Sequence, residues 1–348
     1  MDMDIKEEVY KCSKCGLCQS VCPIYLSTKN EMYLSRGRYI VLNNFYNFNK
    51  KLSTKFVKDL DLCLNCNLCK SFCPSNIDAR EIFTLLKSQN NYKYSFLPFS
   101  IIFLFILLTY KIRKKNIQVK REKNQSKNLN KENILYFQGC INKYVNPSDK
   151  NATLNILEKL GYRVVKTSSL CCGLPYLSDG DLKSFQHNSN KIIDSVSSDI
   201  KYIVCSCDSC YETLKRIPEL KEKLIRFDDI LKLNNFVLTS NNSYVYHKPL
   251  IRNDECYLPK EIKILNKKGN CSLMENFILL KHRKLADKLF KDVFYKKQDI
   301  ENKTITTSCL LSKFGLEYLI KKMKINTKVY SYSEYIYSDS IRKDNIYN

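Results

Sequence analysis

Four cysteines fall within eleven residues in "CSKCGLCQSVC" at 12–22, and the same spacing returns in "CLNCNLCKSFC" at 63–73. No other feature constrains the chain as much. Each run reads C-x2-C-x2-C-x3-C and is followed at once by a proline, Pro23 or Pro74. Thiols at that density either pair with each other or hold something. Pairing is disfavoured, because "MDMDIKEEVY" has no basic-then-apolar secretory leader and cytosolic thiols stay reduced. The total of seventeen cysteines is also odd. A lone cysteine such as Cys256 reads as a small buried hydrophobe. Eight in two copies of one spacing do not.

Structural zinc takes four tetrahedral ligands, usually from two C-x2-C knuckles far apart in sequence. Three cysteines at successive x2 spacing suit a cubane better, since one tight turn can bring three thiolates to three irons. The prolines end each run, having no N–H with which to continue a helix. The pattern resembles that of bacterial ferredoxins, in which the fourth cysteine of each run ligates the other cluster. The resemblance implies one [4Fe–4S] cluster on Cys12, Cys15, Cys18 and Cys73. It places a second on Cys63, Cys66, Cys69 and Cys22.

Forty residues separate Cys22 from Cys63. Within them "NEMYLSRGRYIVLNNF" and "STKFVKDLDLC" read as helical. This resembles the helical ferredoxin domain of iron–sulfur subunits in succinate dehydrogenase, glycolate oxidase and heterodisulfide reductase relatives. The glycolate oxidase iron–sulfur subunit has a "CPxY…E…SPRGR" stretch after its first run. Here it stands as Cys22, Pro23, Ile24 and Tyr25, then Glu31, Ser35, Arg36, Gly37 and Arg38, without the proline before Arg36.

Residues 96–110, "FLPFSIIFLFILLTY", are the most apolar window. As a helix they would reach roughly 22 Å, short of a ~30 Å hydrocarbon core. A single crossing would also divide the cysteines between two sides of a membrane. The basic stretch that follows, "KIRKKNIQVKREKNQSKNLNKEN", completes a two-signal recipe for peripheral attachment to an anionic leaflet. A buried or subunit-contact helix beside a solvated linker is the alternative. The formal charge of +23 fits an anionic surface of either kind, or a lysine-rich solvated face, and alone decides nothing.

From 134 onward, strand and helix signals alternate. "ILYFQGC", "RVVKT" and "KYIVCSC" read as strands. "ATLNILEKLGY", "DLKSFQHNSNKIIDSV" and "CYETLKRIPELKEKL" read as helices. Such βα units imply an open, largely parallel sheet with a cofactor site beyond its carboxyl edge. Cys140, Cys171, Cys172, Cys207 and Cys210 all fall just after strands. Thirty residues separate Cys140 from Cys171-Cys172-Gly173, and thirty-four separate Cys172 from Cys207-x2-Cys210. This resembles the cysteine-rich "CCG" domain of the heterodisulfide reductase catalytic subunit, which recurs in the iron–sulfur subunits of glycolate oxidase and anaerobic glycerol-3-phosphate dehydrogenase. The resemblance implies a third iron–sulfur cluster on those five cysteines. Cys205 matches no motif position and reads as buried on its strand or as a spare thiol. A second copy is eroded: His247 and Pro249 persist with Leu250 in the cysteine's place. Asn270, Cys271 and Ser272 replace Cys-Cys-Gly, and Cys309 with Ser312 replaces the last C-x2-C.

The expectation is an α+β multidomain chain. An N-terminal all-helical ferredoxin domain with two cubane clusters spans 1–92, and the apolar helix and basic linker span 93–133. The α/β cysteine-rich domain has two repeated halves, at 134–240 and, degenerate, at 241–348. The resemblance implies a non-catalytic or co-catalytic electron-transfer subunit of a flavin-linked dehydrogenase oxidising a 2-hydroxy acid or glycerol 3-phosphate. Its partner would be an FAD-containing subunit and its acceptor a quinone or other carrier. It would sit in the cytoplasm, on the inner face of the cytoplasmic membrane. The alternative is a thiol/disulfide oxidoreductase of the heterodisulfide reductase kind. No nucleic-acid partner is expected, for the basic residues cluster in a linker with no recognisable nucleic-acid module.

Overall fold

The computed structural model describes residues 4–90, 132–166, 171–238, 244–249, 251–252, 254–259, 262–265, 281–290 and 300–344. The apolar segment 96–110, most of the basic stretch after it, and Leu250, Asn270, Cys271 and Ser272 lie outside these residues.

Residues 4–90 form only helices and turns. The α-helices are α1 (Ile5–Tyr10), α2 (Leu17–Val21), α3 (Pro23–Thr28), α4 (Ser35–Asn47), α5 (Thr54–Asp59), α6 (Leu68–Ser71) and α7 (Ala79–Gln89). Side-chain caps fix several starts. The Ser53 hydroxyl accepts from Phe56 N–H at 3.1 Å, and the Asp78 carboxylate accepts from Glu81 N–H at 3.1 Å. Ile5, Val9, Tyr39, Leu42, Leu60, Ile82 and Phe83 make the core. The two stretches expected to be helical fall on α4 and α5. Pro23 separates two helices: Cys22 is extended, and Pro23 then opens α3 at its first position.

Two four-stranded parallel sheets follow. The first contains β1 (Asn133–Phe137), β2 (Arg163–Lys166), β3 (Tyr202–Cys205) and β4 (Leu224–Arg226), in the order β2-β1-β3-β4. The second contains β5 (Tyr244–His247), β6 (Lys263–Leu265), β7 (Thr304–Thr307) and β8 (Lys328–Ser331), in the same order, β6-β5-β7-β8. Around the first sheet lie α8 (Gly139–Tyr144), α9 (Pro147–Lys159), α10 (Leu174–Asp179), α11 (Leu182–Asp194) and α12 (Asp208–Leu214). "CYETLKRIPELKEKL" is not one helix. α12 ends at Leu214, Ile217 before Pro218 is extended, and a separate turn of helix covers Pro218–Lys221. A proline disfavours the helical region for the residue before it.

The sheets also repeat a side-chain detail. The Tyr136 hydroxyl on β1 lies 3.1 Å from Ser206 Oγ, and the Tyr246 hydroxyl on β5 lies 2.6 Å from Ser308 Oγ. Each serine directly precedes a cysteine, Cys207 or Cys309. The carboxyl edges of the sheets meet there, as Asp208 N–H donates to Ser308 O at 3.0 Å.

A buried ion cluster ties the helical residues to the sheets. Lys87 Nζ on α7 donates to Asp61 at 2.5 Å and to Ser178 O on α10 at 2.9 Å. Lys281 Nζ reaches Asp61 at 3.2 Å and Asp179 at 3.1 Å. All four charged residues are buried. Burial lowers the Lys87 pKa, while Asp61 opposes that shift.

Candidate metal centres

The two cysteine runs share one backbone path. Lys14 and Asn65, each two residues after the first cysteine of a run, are left-handed, with φ of 61° and 53°. Gly16 and Asn67, each just after the second cysteine, are left-handed too, at 85° and 59°. A short helix, α2 or α6, then carries the third cysteine. Alternating hands curl the chain so that three sulfurs face inward and backbone N–H groups point at them. Asn65 N–H lies 3.4 Å from Cys63 Sγ, and Leu17 N–H donates to Cys15.

Cys12, Cys15, Cys18 and Cys73 line one open pocket, together with Cys69, Ser35, Arg36 and Tyr39. The fourth cysteine of the second run thus stands beside the first three of the first run. Reciprocally, Cys22 faces Cys63 and lies within electrostatic range of Cys66 and Cys69. Burial pushes the Cys22 thiol up to about 11 and Cys69 up to about 12. Cys15 is exposed.

The "Tyr…Glu…Ser-Arg-Gly-Arg" residues, whose individual roles the sequence pattern leaves unstated, support these thiols. The Tyr25 N–H donates to Cys22, the Ser35 hydroxyl to Cys69, and the Arg36 N–H to Cys18. Arg36 is held by Glu31 at 2.6 Å. Arg38 is buried, donates to Asp59 O at 2.8 Å and lies over the Phe83 ring at 4.9 Å. Gly37 is required by close approach, because a Cβ there would stand 2.0 Å from Glu31 O. Tyr39 adds a feature that no spacing reveals: its buried hydroxyl has no hydrogen-bond partner among the described residues.

The third group sits beyond the carboxyl edge of the first sheet. The chain order of the sheet reverses there, β1 leading to β2 on one side while β3 lies on the other. Cys140 enters on α8, Cys171 and Cys172 precede α10, Cys207 caps α12, and Cys210 lies in its first turn. All five meet. Cys171 accepts hydrogen bonds from Cys140 and Cys172, which hold it well below an ordinary thiol. Cys207 accepts from Cys210 and Cys309 and is likewise lowered. The donors Cys140, Cys172 and Cys210 are pushed up by these same contacts and by burial. Gly173 turns the chain with φ of 91°, and a Cβ there would press to 2.7 Å on Phe185. Cys205 is buried on β3, opposite Phe137. Cys256 is half-buried in the packing around Tyr246 and Ile262.

Among the described residues, no three Cys, His, Asp or Glu side chains close on one point as a single ion requires. All sixteen cysteines among them are free thiols. The chemistry of this donor set fits iron–sulfur clusters. Soft thiolates suit them, and buried thiolates repel one another unless a cationic core compensates. In the third group protons shared between neighbouring thiols provide that compensation. In the first, the buried Tyr39 hydroxyl has no acceptor among the described residues, and a bound cluster would offer one.

Comparisons with known proteins agree. Residues 8–77 match the family described as a 4Fe-4S dicluster domain, and residues 134–215 match the family described as a cysteine-rich domain, CCG. The chain is 22% identical over 302 residues to a dihydromethanophenazine:CoB–CoM heterodisulfide reductase component of Methanosarcina acetivorans, covering 74% of this chain and 70% of that protein. It is 23% identical over 187 residues to the glycolate oxidase iron-sulfur subunit of Escherichia coli, covering 47% and 46%. A probable glycolate oxidase iron-sulfur subunit of Bacillus subtilis is 22% identical over 291 residues, covering 66% and 64%. The chain therefore carries two iron–sulfur domains and is related to subunits of multi-subunit oxidoreductases.

Proposed function

We propose that this chain is the iron–sulfur electron-transfer subunit of a flavin-linked dehydrogenase. It would take electrons from an FAD-containing partner that oxidises a small 2-hydroxy acid or glycerol 3-phosphate, and deliver them to a quinone or another carrier. The observation that carries this reading is the spatial order of the three thiol groups. The first opens to solvent at Cys15. Cys22 and Cys66 of the second pack against the same core as Cys172, Cys207 and Cys210 of the third. The second group thus stands between a surface entry and an interior end, which is the order that stepwise electron passage needs.

In this reading two [4Fe–4S] clusters are held by Cys12, Cys15, Cys18 and Cys73, and by Cys63, Cys66, Cys69 and Cys22. A third is held by Cys140, Cys171, Cys172, Cys207 and Cys210. When bound, such clusters supply one-electron carrier chemistry. The protein's own groups fix and tune that chemistry. Backbone N–H groups of Leu17, Arg36 and Tyr25 and the Ser35 hydroxyl point at the thiolates, while Ile24, Leu64 and Phe185 exclude water. The two like-ordered sheets read as repeated halves of one cysteine-rich unit, the second retaining the fold without a full thiol set. Peripheral attachment to an anionic membrane through 96–110 and the basic stretch belongs to the same reading. No helix among the described residues is long and apolar enough to cross a membrane.

A second reading, disulfide reduction at the third group, is favoured by the longer similarity to the heterodisulfide reductase component. One experiment separates them. The chain should co-purify with a flavoprotein, and reduction of a quinone analogue by that partner's substrate should vanish when the chain is removed. Turnover of a heterodisulfide by the isolated chain would move the assignment to the second reading.

A further inference from the structure

The second half retains a cysteine, Cys309, that belongs to no complete motif yet lies against the third thiol group. Cys207 and Cys309 occupy matching places. Each follows the serine after the third strand of its sheet, and each caps the next helix. Their backbone angles are φ −126° and ψ 117° for Cys207, and φ −115° and ψ 118° for Cys309. The two loops are held together by Asp208 N–H donating to Ser308 O at 3.0 Å, and by Ser308 Oγ donating to the Asp208 carboxylate at 2.5 Å. Cys309 is fully buried, and its Sγ lies 2.9 Å from Ser209 Oγ. Its thiol meets Cys207.

We propose that Cys309 is a positioning residue for the third centre: its S–H donates to Cys207 Sγ, backed by the Ser209 hydroxyl, and raises the reduction potential of the cluster that Cys207 holds. This rests on the reading of the third group as a cluster site. A thiolate that already accepts a hydrogen bond bears added electron density more easily, so donors to cluster sulfurs favour the reduced state. A sixth thiol serving as a ligand would need to face the other five. Cys309 comes from the loop after β7 of the second sheet and reaches the group at Cys207.

The test uses the full-length chain, purified anaerobically, with iron per chain and an EPR-monitored potentiometric titration as readouts. The third-centre signal is the one missing in Cys171→Ser. Cys309→Ala should keep wild-type iron while shifting that signal to lower potential. The shift expected is roughly tenfold in the oxidised-to-reduced ratio at fixed potential, about 59 mV for one electron. Cys309→Ser, which keeps a donor of similar shape, should stay near wild type. Ser209→Ala should shift in the same direction by less. If Cys309→Ala does not fold, the Ser209→Ala shift decides alone. An unchanged potential in Cys309→Ala, or in Ser209→Ala when that variant decides, overturns the proposal. Loss of about one cluster's iron in both Cys309 variants also overturns it, by making Cys309 a ligand. If the wild type itself lacks a third signal, the cluster reading fails and the proposal falls with it. That failure is distinct, because it is seen before any substitution at 309.

Discussion

Cys22 and Cys73 carry the crossed arrangement, and each can be tested alone. Cys22→Ser should damage the centre of Cys63, Cys66 and Cys69 before that of the first run, and Cys73→Ser should do the reverse. EPR of the two variants reads this directly, and an inverted result would uncross the assignment. Asp149 gives a pH prediction away from the thiols. It is buried and accepts from Asn142 and Ser206, both at 2.8 Å, yet burial pushes its pKa up to about 6. A carboxyl raised above its unfolded value of about 3.9 contributes stability that is complete below pH ~4 and lost as pH rises through about 6. The loss is roughly 3 kcal/mol. Urea midpoints should show Asp149→Asn gaining on the wild type across that window and levelling above it. The eight run cysteines were legible because their chemistry is set by spacings of two and three residues. The roles of Tyr39 and Ser35 were not, since they depend on which surfaces meet after folding, whereas Cys309 stood out as a remnant of the second motif.

Between elements, the informative features are close approaches and buried charges. Gly37 lets α4 pass against the turn at Glu31, and Gly37→Ala must push them apart. Because Ser35 and Arg36 ride on that helix, the expected result is iron loss at the N-terminal centres, measured per chain, with the second sheet unaffected. The Asp61, Lys87, Lys281 and Asp179 cluster joins α7, α10 and the chain at Lys281. Asp61→Asn leaves two buried ammonium groups with one carboxylate between them. A broken buried pair typically costs about 3–5 kcal/mol. A clear fall in the thermal midpoint of the full chain is expected, and an unchanged midpoint would show that the cluster contributes nothing net. The sequence pattern located α4, α9, α11 and the strands β1, β2 and β3, but it took Leu224, the first residue of β4, into a helix. It ran α12 through Pro218, although the residue before a proline avoids helix. It could not locate the ion cluster, whose members lie as far apart as Asp61 and Lys281.

At the scale of the whole molecule, the thiols form a succession from an exposed entry at Cys15, through Cys22 and Cys66, to the buried group at the carboxyl edge of the first sheet. The second sheet separates architecture from ligand content. Its cysteines are mostly replaced, yet its strand order and its tyrosine-to-serine contact match those of the first. Strand order is maintained by apolar residues such as Val245 and Ile305, which do not depend on metal ligands. The central claim is that all three thiol groups hold iron. Anaerobic iron and zinc analysis with EPR, on the wild type and on Cys171→Ser, tests it most directly. About twelve irons per wild-type chain, about eight in Cys171→Ser, and no stoichiometric zinc are expected. About eight irons in both proteins, or zinc at the third group, would contradict it.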